Sequence, residues 1–157
     1  MLLLVPAAVL VLFVLGSISV DFAIAFMAQR ELTGAAAAAA NDAATAALSD
    51  ATFYEGGPAG DPGDIEIDDT AARRVAEAAL TVRAPRGVQE PRITVVRAPG
   101  NQVCVVVTGR VDYIFAKAVP GAPGGKTVTG RAVATAVGAE GETTVRRGDP
   151  DDVCQGP

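Results

Sequence analysis

The chain has 157 residues, 50% of them hydrophobic and 4% aromatic, with no Trp, no His, two Cys and a formal net charge of −5. Without imidazole there is no Ser–His or Cys–His pair and no His ligand for zinc; three Ser and no P-loop, G-x-S-x-G or G-x-G-x-x-G motif leave a protein expected to be non-enzymatic, and no metal is expected. An acidic chain without interleaved bases and aromatics is also a poor fit to nucleic acid.

The first 28 residues hold one charge, Asp21. Residues 1–20 read MLLLVPAAVLVLFVLGSISV, and the apolar character resumes from Phe22 to Ala28. A helix rising about 1.5 Å per residue needs roughly 20 apolar residues to cross about 30 Å of hydrocarbon. Leu2, Leu10, Phe13, Val20 and Phe26 are accordingly expected in the membrane. A cleaved signal is the competing reading, since Ala23-Ile24-Ala25 offers a small-x-small site, but the apolar run exceeds a usual signal core and no base precedes it. Arg30 beside Glu31 does not fix the orientation. Asp21 either sits at the headgroups or pairs with the amine or a base of a neighbouring protein during assembly.

Beyond Arg30 the chain becomes rich in alanine, the strongest helix former, so one helix is expected over residues 2–48. About half of it should project past the lipid, and its smooth surface suits either close packing on partner helices or a plain spacer. Gly56-Gly57-Pro58 and Gly60-Asp61-Pro62-Gly63 mark residues 49–64 as an acidic loop, with acid spacing that does not match an EF-hand. Residues 65–67 fit a short strand. Asp68 or Asp69 then caps a helix over residues 69–83 with the apolar stripe Ala72, Val75, Ala76, Ala79 and Leu80, ended by Pro85.

Residues 92–97 read as a strand, followed by a turn at residues 98–101. In the next strand Val103, Val105, Val107, Val111, Tyr113 and Phe115 share a face, opposite Cys104, Val106, Thr108, Arg110 and Asp112. The third strand, residues 127–137, alternates Ala132, Ala134 and Ala136 with larger side chains, which would let the 69–83 helix lie close against the sheet. The fold class is therefore α+β: a long N-terminal transmembrane helix, then a small antiparallel sheet of three or four strands packed by one amphipathic helix. The segments are an anchor with its Ala-rich extension (1–48), the acidic loop (49–64), the small domain (65–138) and an acidic flexible tail (139–157).

Charge is segregated along this plan. Residues 41–69 hold eight acids and no base, and residues 70–138 hold ten bases against three acids. Such separation steers docking to an acidic surface or a second copy, or is simply a solvated surface. Cys104 and Cys154, in a domain with few large side chains, suggest a disulfide; two unrelated thiols are the alternative.

The run from Val20-Asp21 through Ala28-Gln29-Arg30-Glu31-Leu32 to Asn41-Asp42-Ala43-Ala44 resembles the N-terminus of TadE/TadG-like proteins, pilin-related membrane proteins of tight-adherence (Flp) pilus assembly. The resemblance covers about 40 residues well and the remainder in outline. It implies a minor pilin or assembly factor of such a pilus or a related secretion system, single-pass in the cell membrane with its α+β domain extracytoplasmic. Its implied partners are the lipid bilayer and other pilus-assembly or pilin-like proteins, including copies of itself met through the N-terminal helix. The resemblance implies no cofactor. A secreted or anchored binding module for a ligand or envelope component is the alternative.

Overall fold

The structure, a computed structural model, describes residues 4–54, 67–97, 102–136 and 154. Helix α1 spans Leu4–Tyr54 and α2 spans Asp69–Val82; strands β1 (Gln89–Arg97), β2 (Gln102–Asp112) and β3 (Gly125–Thr135) form one antiparallel sheet in the order β1-β2-β3. The α+β class and its three-stranded sheet agree with the sequence reading. Residues 49–54, expected as loop, instead continue α1; nothing in Ser49-Asp50-Ala51 forces a stop, and glycine and proline begin only at Gly56. Residues 55–66, the 98–101 turn and most of the tail lie outside the described residues. Ile67, the last residue of the proposed short strand, is buried and belongs to no strand.

Helix α2 starts where capping chemistry puts it. The Asp68 carboxylate accepts a 2.8 Å hydrogen bond from the Thr70 amide, satisfying one of the first-turn donors, and Ala72, Ala76 and Leu80 turn inward as their spacing requires. Strand β1 begins three residues earlier than expected and takes in Pro91. It does so at an edge of the sheet, beside a register irregularity between Gln89 and Arg92 and a positive φ of 46° at Glu90, where a missing ladder donor is tolerated.

Central strand β2 is covered on the face of Val103, Val105, Val107 and Val111, as its alternation requires. The helix lying on this face is not the one expected. The small side chains of β3 receive α1, whereas α2 packs chiefly on α1 and reaches the sheet at β1. Gly130, opposite Val107 in the ladder, shows why: a methyl group built there would sit 2.5 Å from the Thr33 nitrogen and 2.6 Å from the Leu32 carbonyl oxygen. Only hydrogen at this position lets the α1 backbone approach so closely. Leu32 is fully enclosed, and Ala28, Ala36, Ala39, Ala40, Ala43 and Ala44 line the rest of the seam. The Ala-rich half of α1, expected either to pack on partner helices or to serve as a spacer, thus forms the spine of the domain over residues 28–44.

The first half of α1 is the opposite. From Val5 to Val20 no described side chain is buried, and the helix is long and apolar enough to cross a membrane.

Candidate functional site

The junction between these two halves is the most chemically specific place in the described structure. Asp21 is one residue past the uncharged run, yet it is only 7% exposed. One carboxylate oxygen accepts hydrogen bonds from the amides of Ile114 (2.9 Å) and Phe115 (3.2 Å), and the other accepts from the amide of Ala116 (2.9 Å). A carboxylate accepting backbone N–H groups is a charge-assisted contact, stronger than a neutral pair. It ties α1 to the turn that follows β2, 93 residues away in sequence. Asp21 is therefore held by its own chain, an arrangement absent from both sequence alternatives, and pairing with a neighbour's amine would require this turn to share or release it.

The turn is built for that grip. Strand β2 ends at Asp112, so Tyr113 and Phe115 do not continue its buried face as the alternation suggested. The Tyr113 amide donates to the Gly124 carbonyl at 3.1 Å, closing the loop, and Ala116–Ala118 forms a single 3-10 turn. With Asp21 taking three amides, the backbone leaves the ladder and turns Ile114 outward, 63% exposed. A shallow cavity of about 190 Å³ lies between the elements, lined by Ile18, Asp21, Phe22, Tyr113 and Ala116.

Around the loop the surface is basic. Asp112 accepts from Lys117 Nζ at 2.7 Å and Gln89 Nε2 at 3.0 Å, and lies 3.6 Å from Arg110 Nε. The Lys117 hydrogen bond, helped by that of Gln89 and by the charges of Lys117 and Arg110, holds the Asp112 carboxyl below the usual carboxylate range, against the opposing effect of partial burial. Exposed Lys126 joins Arg110 and Lys117 at this end of the sheet, where Asp112 and the buried Asp21 supply the opposing charge.

The membrane candidates fall as follows. Leu10, Phe13, Val20 and Phe26 all lie uncovered on α1, and Leu2 is outside the described residues. Cys104 and Cys154 form a disulfide with a Cα separation of 5.5 Å. Cys104 is on the sheet face away from the helices, so the bridge brings Cys154 onto that side. Sequence reasoning missed Ile114, Lys117 and Val119. The available signal was Tyr113-Ile114-Phe115 followed by Lys117, bulky apolar groups beside a base just before a Gly/Pro loop.

Comparison of the chain with protein-family models, with curated proteins and with solved structures gave no match.

Proposed function

We propose that this is a membrane-anchored, pilin-like structural protein, a minor pilin or assembly factor of a tight-adherence type pilus or a related secretion system, with no enzymatic role. The observation that carries the reading is the division of one continuous helix. Residues 5–27 of α1 present large apolar side chains with little cover, and residues 28–44 form the buried spine of a small antiparallel domain. A separate anchor on a flexible tether would leave the domain free to move. Here the domain is rigidly continuous with the anchor, so load applied along α1 passes directly into the sheet. That coupling suits a subunit or assembly factor, with the domain extracytoplasmic, and the resemblance of residues 10–48 to TadE/TadG-like proteins agrees with it.

Partner contacts should then use the uncovered half of α1. Cys introduced at Leu12, Phe22 or Met27 should crosslink to a second copy or to a neighbouring membrane protein, while Cys at Ala36 or Ala40 should not. Fractionation should find the chain in the membrane, with the domain protease-accessible from the outer side. A freely soluble mature chain with no crosslinks at any α1 position would favour the binding module instead.

A further inference from the structure

The geometry points to a second membrane contact: the loop after β2, residues 113–119, lies in the headgroup layer of the bilayer that α1 crosses, with Ile114, Phe115 and Val119 at the acyl boundary and the Lys117 ammonium, which also holds Asp112, at the level of the headgroups. The inference rests on the anchor reading and adds that the domain sits on the lipid surface without a stalk.

Depth is the first argument. On the side of α1 away from the domain, exposed apolar side chains do not stop at Asp21; Phe22, Phe26 and Met27 follow, each about two-thirds or more exposed, before Arg30 and Glu31. The run from residue 5 to 27 is about 34 Å long at 1.5 Å per residue, slightly more than a hydrocarbon core of about 30 Å. Asp21 lies about 9 Å short of its far end. A bilayer that covers Phe22 and Phe26 on one side of α1 therefore reaches, on the other side, the loop that Asp21 holds.

The loop's composition is the second argument. Ile114, Phe115 and Val119 are 63%, 37% and 58% exposed, and their loop meets the exposed Ile18 and Phe22 of α1 at Tyr113 and Ala116, so the apolar patch lies beside an apolar surface already assigned to lipid. Tyr113 and Phe115 beside Lys117 match the aromatic and basic composition of membrane interfaces, and Arg110 and Lys126 at the same end complement anionic headgroups.

Backbone satisfaction is the third. Irregular backbone at membrane depth is costly unless its polar groups are paired. Six amides here are paired within the chain: Ile114, Phe115 and Ala116 to Asp21, Tyr113 to Gly124, Val119 to Ala116 and Ala122 to Val119. The carboxylate that would itself be costly at that depth has its oxygens satisfied by the same bonds.

The chain has no Trp, so single-Trp variants report one position each. Ile114→Trp, Phe115→Trp, Phe13→Trp in the anchor and Arg74→Trp on α2 are reconstituted as full-length protein in vesicles of phosphatidylglycerol and phosphatidylcholine brominated close to the headgroup or mid-chain. Circular dichroism and thiol titration confirm that each is folded with its disulfide intact. Ile114→Trp and Phe115→Trp should show blue-shifted emission quenched most by the shallow bromines, Phe13→Trp should be quenched most by the deep ones, and Arg74→Trp should not be quenched. Quenching of Phe13→Trp without quenching at positions 114 and 115 overturns the loop contact and leaves the anchor standing, as does blue-shifted but unquenched emission there, which would mean that a protein covers the loop. Absence of quenching at position 13 as well removes both.

Discussion

The two halves of α1 differ in side-chain size before they differ in surroundings. Residues 5–20 carry unburied Val, Leu, Ile and Phe on every side, whereas residues 28–44 are mostly Ala with one large buried side chain, Leu32; between them Asp21 and Ile24 turn to the domain while Phe22, Phe26 and Met27 stay uncovered. Large side chains all round keep any sheet at a distance and need an apolar solvent. Small ones let a sheet approach until backbone nearly meets backbone, as at Gly130. The lesson is that bulk and hydropathy fall together along α1: Gln29, Arg30, Glu31, Asn41 and Asp42 make the second stretch unfit for lipid, and its alanines let the sheet close on it.

That contrast can be broken most severely at Gly130. Gly130→Val places a side chain against the Leu32 and Thr33 backbone, which cannot yield locally, so the sheet should undock from α1. Cooperative thermal unfolding of the domain should be lost while the helical signal of α1 persists. Reduction, or Cys154→Ser, should cost about 4 kcal/mol if chain entropy dominates for a bridge 50 residues apart, read as a lowered denaturant midpoint. A pair of size changes then sharpens the comparison itself. Ala39→Leu in the buried half should destabilise by about 1–3 kcal/mol through overpacking. Leu12→Ala in the uncovered half should move domain stability by less than about 0.5 kcal/mol.

The smallest effect is expected from acid. Because Asp112 is held below its ordinary range, its contribution is complete above the unfolded carboxyl value of about 3.9 and is lost as pH falls through the lower folded value. Below about pH 4 the tie to Lys117 should weaken. The protection of the Tyr113 amide relative to its intrinsic exchange rate should fall there, by more in wild type than in Asp112→Asn.

What was legible in the sequence was local. Asp68 caps α2 because the cap and the amide that donates to it are two residues apart, and the Ala72, Ala76, Leu80 stripe follows from helical period alone. The valine alternation of β2 set its buried face in the same way. What was not legible needed distant partners. Alanine packs against a helix or a sheet equally well, so nothing in residues 35–44 said which would cover them. Tyr113 to Phe115 kept the β2 alternation, and only the carboxylate 93 residues upstream draws their backbone out of the strand. The two cysteines were read as a bridge or as two thiols, and the structure joins them.

The division of α1 is most directly tested by spin labels on single added cysteines along residues 9–44 of the full chain in bilayers, with the native disulfide intact. Labels at Leu10, Phe13, Val20 and Phe26 should meet dissolved oxygen in preference to a water-soluble nickel complex. From residue 28 onward accessibility should follow the helical period, low at Leu32, Ala36 and Ala43 and open to the nickel complex at Thr33 and Asn41. Uniform nickel accessibility from residue 9 to 27 would contradict it.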